Sequence, residues 1–238
     1  MTRFPTLLAI ETATESMNVG IAVDGRVLTE ESPGGPQASA RLLPVVLNLL
    51  QAAGGLRVQD LDAIVFGRGP GAFTGLRTAC AVTQGLALGA GKPVLPVDTL
   101  LVVAEAARAA DAGQDVWAVL DARMDEMYAA RYRHDGGDWH TVTPPALYSA
   151  EALSQRLRRD GGDCVAGNAL QVHALEVGTM ATLPHAGPHA AALLELGRAA
   201  WRRGEAVDAA LALPLYIRDK VALTTAEREA LKLAREAA

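Results

Sequence analysis

The chain has 238 residues, 50% of them hydrophobic and 21% charged, with a formal net charge of −5. That length fits one large domain or two smaller lobes, the apolar content excludes a disordered chain, and no basic block offers the patch with which nucleic-acid binders displace counterions. Cys80 and Cys164 stand too far apart in sequence to suggest a disulfide scaffold, no uncharged apolar run reaches membrane-spanning length, and Met1–Pro5 leads into a strand with no signal-peptide core, so a cytoplasmic protein is expected.

Leu7-Leu8-Ala9-Ile10 reads as a short buried strand that ends at Glu11, and Asn18 to Val23 alternates as a second strand. Asp24-Gly25 between apolar flanks is a strong hairpin signal, so Arg26 to Glu30 forms the third strand and Ser32 to Pro36 a loop. An amphipathic helix follows, capped by Ser39, with Leu42, Leu43, Val46, Leu47, Leu49, Leu50 and Ala53 at three- and four-residue steps and Gly54-Gly55 at its end. Pro44 near its start lacks a backbone donor and is expected to kink the first turn. Ala63 to Phe66 is another buried strand, and a well-capped helix runs from Thr74 to about Gly89. A strand at Val94 to Val97 precedes a third helix, capped by Thr99 and reaching about Ala112.

The second half repeats this plan. Val116 to Leu120 is a strand that ends at the acidic Asp121, Glu126 to Tyr132 returns, and Asp135-Gly136-Gly137 turns. The spacing from Glu11 to Asp24 nearly equals that from Asp121 to Asp135. Helices over Ala150–Arg158, Pro188–Arg203 and Thr224–Ala237 and a strand at Cys164–Gly167 complete the reading. Repeated strand-strand-strand-helix-strand-helix units are the plan of the actin, sugar-kinase and Hsp70 superfamily: a duplicated α/β fold whose two lobes of mixed sheet and helices face a nucleotide cleft. A pair of hairpins in an ordinary α/β protein is the alternative.

Gly67 to Arg77 is the richest stretch for chemistry. Gly69-Pro70-Gly71 follows a buried strand, and amides at the N-terminus of the next helix suit an anion such as phosphate. The spacing is neither a P-loop nor a dinucleotide fingerprint, which leaves a tight strand-to-helix turn as the competing explanation. Small residues on more than one face of that helix let it approach two neighbours, either two layers of its own chain or one layer and a partner. Glu11 and Asp121 end equivalent strands; in a nucleotide-cleaving relative of this architecture such carboxylates hold magnesium and its water, with Thr12 close enough to touch phosphate. Elsewhere they are ordinary loop caps. His185 and His189 have the four-residue spacing of helical metal ligands, but Gly187 and Pro188 between them break that face, so no metal site is expected.

Four strings carry a closer likeness: Leu8 to Thr14, Gly69 to Arg77, Gln84 to Ala87 and Asp121 to Tyr128. They resemble the TsaB family, also called YeaZ, in order from the first strand to about Tyr132, and Pro214 to Arg218 is similar to that family's C-terminal segment. The resemblance implies an actin-like fold and a part in making threonylcarbamoyladenosine beside the anticodon of tRNA. It implies a supporting subunit without catalytic residues or a cofactor of its own, paired through helices with the transferase TsaD and joined by the ATPase TsaE. ATP binding is left to the assembled complex, tRNA is reached only through that complex, and the chain closes a homodimer when alone. The metal-binding histidine pair of TsaD falls on Gln37 to Pro44, where this chain has no histidine. The lobes implied are 1–104, with the partner-binding helices, and 105–213, followed by a segment and helix over 214–238. By resemblance the partner contact falls on Arg41, Leu42, Val46, Leu76, Ala79 and Thr83. The family motifs, or a vestigial nucleotide cleft, comprise Glu11, Thr12, Gly69, Pro70, Gly71, Thr74, Gly75, Arg77, Asp121, Arg123 and Glu126. The competing functions are a stand-alone actin-like phosphotransferase and a metalloendopeptidase of M22 type, which needs a zinc constellation that the histidine spacing does not supply.

Overall fold

The structure, a computed structural model, describes residues 4–35 and 38–218, so the helix expected over Thr224–Ala237 lies outside it. β1 (Leu7–Glu11), β2 (Ser16–Val23) and β3 (Arg26–Pro33) form an antiparallel meander, and Asp24 and Gly25, with φ of 48° and 77°, make the turn between the last two. Positive φ at both positions gives the turn the twist that two antiparallel strands need. α1 (Ala38–Ala52), β4 (Ala63–Gly67), α2 (Phe73–Ala90), β5 (Val94–Val97) and α3 (Thr99–Ala109) complete the first unit. β1, β4 and β5 are parallel, and their continuous apolar runs are buried on both faces.

The second unit repeats the order: β6 (Asp115–Asp121), β7 (Glu126–Asp135), β8 (Asp138–Ser149), α4 (Ala150–Asp160), β9 (Cys164–Ala166), α5 (Ala169–Val172), β10 (Ala181–Leu183) and α6 (Ala190–Arg202). The two sheets run β3-β2-β1-β4-β5 and β10-β9-β6-β7-β8. Each strand of one thus has a counterpart at the same place in the other, and the fold is the duplicated, two-lobed actin-like α/β plan with mixed sheets flanked by helices.

The last helix of each unit crosses to the other sheet. α3 packs Leu100, Val103, Ala104 and Ala107 on β6 and β7, while α6 packs Leu193, Leu194 and Leu196 on β1, β4 and β5. Gly197 lets α6 lie this close, since a Cβ there would stand 2.5 Å from Val65 Cγ2. A boundary at residue 104 therefore falls inside α3, and residues 105–213 include a helix that covers the first sheet.

Several local expectations are corrected. β3 continues to Pro33, past the expected loop start. Ser39 lies within the first turn of α1 and is not its cap, and Pro44 lies in the second turn. The N-cap of α2 is Ala72 and that of α3 is Asp98, neither making a side-chain cap bond. Thr99 is not a cap because its hydroxyl is committed to Glu11, and α3 stops at Ala109. β8, α5 and β10 have no counterpart in the sequence reading.

Candidate functional site

The strand-end turns of the two lobes face each other across a cavity of about 350 Å³. Ala13, Thr14 and Glu15 line one side, and Asp121, Arg123, Met124, Tyr128 and Asn168 the other; the start of α2 and Arg218 close it.

On the first-lobe side the glycines of Gly67 to Gly75 serve packing. A Cβ on Gly67 would lie 1.8 Å from Glu11 Oε2, one on Gly71 2.4 Å from Ala13 O, and one on Gly75 1.9 Å from Thr12 O. The loop thus lies directly on the end of β1, fixed by the Ala72 amide donating to Ala13 O at 2.7 Å and the Thr12 hydroxyl donating to Gly75 O at 2.7 Å. Glu11 is sealed beneath it. Its Oε1 accepts from the Ala13 amide at 2.7 Å and its Oε2 from the Thr99 hydroxyl at 2.9 Å, while the Gly69 amide donates to Thr99 Oγ1 at 3.1 Å. With no solvent exposure, burial pushes the Glu11 carboxyl up to about 7 despite these bonds. Of the two roles open to these carboxylates, cleft ligand or loop cap, Glu11 takes the second: it bonds the Ala13 amide and Thr99 and is absent from the cavity lining, so it does not share the cleft with Asp121. Gly69 and Pro70 are buried, whereas Thr74 and Arg77 lie exposed on the outer side of α2.

Asp121, by contrast, lines the cavity. His173 Nε2 lies 3.0 Å from Asp121 Oδ1, the Arg123 amide donates to the same oxygen at 3.2 Å, and the Asp121 amide donates to Asn168 Oδ1 at 2.9 Å. The turn that follows is unusual. Arg123, Met124 and Asp125 have φ of 63°, 57° and 57°, three successive non-glycine residues in the left-handed region. Each such residue costs about 1–2 kcal/mol. The turn is closed by Ala122 donating to Glu126 O and Glu126 donating to Arg123 O, at 2.9 and 3.1 Å. Across the cleft, Arg123 pairs with Glu15, both of them exposed. Exposed pairs of this kind add little stability. Glu126 accepts from Arg218 Nη2 at 2.6 Å.

Of the residues expected at a partner contact, only Arg41 is exposed. Leu42, Val46, Leu76, Ala79 and Thr83 are at most 1% exposed and belong to the chain's own interior, so they cannot meet a partner, and that expectation is corrected. The apolar side chains left open on the same helices are Leu43 and Leu47 on α1 and Leu88 on α2, with Ala81, Gly85 and Gly89 beside them on α2.

His185 and His189 are both exposed, and His189 accepts from the Ala192 amide as the cap of α6. Among the described residues no group of three or more His, Cys, Asp or Glu is placed to hold a metal ion. No helix among them is long and apolar enough to cross a membrane. Residues that the motifs alone did not single out are Thr99, Asn168, His173 and Arg218; only Arg218 had a signal, as part of the Pro214–Arg218 string.

Comparison with known proteins adds names to this geometry. The family model described as TsaD, tRNA N6-adenosine threonylcarbamoyltransferase, matches residues 35–196. A protein of Haemophilus influenzae named tRNA threonylcarbamoyladenosine biosynthesis protein TsaB is 31% identical over 224 residues, 91% of this chain and 94% of its own. The Escherichia coli protein of the same name is 38% identical over 160 residues, 67% of this chain and 69% of its own. The solved structure of YeaZ from Pseudomonas aeruginosa superposes with a TM-score of 0.80 at 38% identity, covering 89% of this chain and 99% of that one.

Proposed function

The chain belongs to the TsaB (YeaZ) family, and on that premise we propose that it is a non-catalytic subunit that binds and activates TsaD in forming threonylcarbamoyladenosine in tRNA. The observation that carries this reading is the match, over nearly the whole length of both chains, to a protein named for that biosynthesis. The exposed face of α1 and α2 supports the partner role. Leu43, Leu47 and Leu88 are 42%, 52% and 61% exposed, and the small residues beside them on α2 let a second helix approach closely. In this reading the same face closes a homodimer when TsaD is absent, TsaE joins the pair in the cytoplasm, and tRNA is reached only through the assembly.

The TsaD description of the family model favours a second reading, in which this chain transfers the group itself. Two features weigh against it. α1 carries no histidine, and the carboxylate of Glu11 is sealed away from the cleft.

The test is purification with TsaD of the same organism, followed by transfer to tRNA with and without this chain. Stable association and transfer that requires the chain are expected. Leu47→Asp with Leu88→Asp abolishes both while leaving the fold intact, because these side chains point to solvent. Transfer by TsaD alone at the full rate removes the proposal, and transfer by this chain alone establishes the second reading.

A further inference from the structure

Residues 214–218 cross the mouth of the cleft and make contacts that the assembly role does not use. On the first lobe, the Leu215 amide donates to Arg68 O at 2.7 Å. Gly69, at φ 107°, gives the strap room: a Cβ there would lie 3.0 Å from Leu215 O. The Tyr216 ring stacks on Phe73 with centroids 4.4 Å apart and planes 5° from parallel, its hydroxyl accepts from Arg77 Nε at 3.2 Å, and the Arg77 guanidinium stands 5.0 Å from the Phe73 centroid. The next two residues belong to the other lobe. Ile217 packs on the apolar cluster of α3 and the second sheet, and Arg218 enters the left-handed turn. Its Nη2 donates to Glu126 Oε2 and to Arg123 O at 2.6 and 3.3 Å, and its Nη1 lies 3.3 Å from Met124 Sδ.

We propose that this segment is a strap that holds the strained 123–125 turn in place at the cleft mouth and couples its conformation to the N-terminus of α2, with Arg218 as the positioning residue. Arg218 supplies what the turn cannot: a donor to the Arg123 carbonyl and a cation for Glu126, from a side chain only 10% exposed. The turn's own closing bonds are few, so without the strap its three left-handed residues are free to relax toward the ordinary right-handed region.

The experiment is amide hydrogen exchange on the full chain, read at Ala122 and Glu126, whose amides close the turn. Arg218→Ala is expected to speed both at least tenfold while the amides of β6 and β7 keep their native protection. Tyr216→Ala, which touches no residue of the turn, is expected to speed the same two amides by releasing the strap's other end. A purely local role for Arg218 does not produce that remote effect. Native exchange at Ala122 and Glu126 in Tyr216→Ala overturns the strap, and so does native exchange in Arg218→Ala. If Arg218→Ala fails to fold, Tyr216→Ala decides alone.

Discussion

The two lobes have the same strand order and each ends its leading strand in a carboxylate, Glu11 in one and Asp121 in the other, yet they use it in different ways. In the first lobe a long helix, α2, brings a glycine-lined loop down on the end of β1, and Glu11 disappears beneath it. In the second lobe the equivalent helix, α5, has only four residues, and Asp121 stays at the cavity wall, its side chain 10% exposed and held by His173 and Asn168. The scaffold is shared, and the loop after the fourth strand of each lobe decides whether its carboxylate is sealed, as at Glu11, or lines the cavity, as at Asp121. A cleft that binds metal and phosphate through paired carboxylates needs both of them at its surface; here one is sealed.

The strongest way to break this comparison is to fill the glycines that make it. Gly67→Ala pushes a methyl into the Glu11 carboxylate, and its counterpart Gly167→Ala pushes one into Val119 O, 1.9 Å from the ideal Cβ position and at φ 131°. Each is expected to destabilise the chain by about 3–5 kcal/mol in denaturant unfolding, Gly167→Ala the more, because backbone cannot move aside as a side chain can. Equal stability to the native chain for either variant contradicts the close packing described.

Next in size is the titration of Glu11. Its folded pKa lies above its unfolded value of 4.5, at about 7, so the folded state holds the proton more tightly. The contribution is fully present below pH 4.5 and is lost as pH rises through 7. It amounts to roughly 3 kcal/mol between those limits, from 1.36 kcal/mol per pKa unit. Unfolding of the native chain and of Glu11→Gln at pH 4.5 and pH 8 measures it, with the native chain losing more stability on the way up. Identical pH dependence for native chain and Glu11→Gln contradicts the sealed carboxylate. The smallest effect concerns the turn. Asp125→Gly relieves one left-handed residue at the cost of glycine's chain entropy, a net gain of about 0.5 kcal/mol, seen as a rise of about 1–2 °C in Tm.

Much of the first lobe was legible because its buried strands are uninterrupted apolar runs and its hairpin carries Asp24-Gly25. The second lobe was read less well for a physical reason. β8 lies at the sheet edge, where Pro144-Pro145 and polar side chains are tolerated, and α5 and β10 are too short to show a period. The apolar spacing of α1 and α2 marks them as helices, but which side of a wide apolar stripe faces inward depends on the neighbours, and it is Leu43 and Leu47, not Leu42 and Val46, that face outward. At the site, Asp121 and the Asp121–Tyr128 string could be recognised. The Thr99–Glu11 bond spans 88 positions and the Arg218–Glu126 bond 92, and no local pattern announces either.

The measurement that bears most directly on the account is threonylcarbamoyl transfer to tRNA by TsaD supplemented with Glu11→Gln, with Asp121→Asn, or with Leu47→Asp and Leu88→Asp together. A subunit that acts through its surface predicts full transfer with the first two and none with the third. Loss of transfer in Asp121→Asn, with binding to TsaD intact, would contradict it and place chemistry in this chain's own cleft.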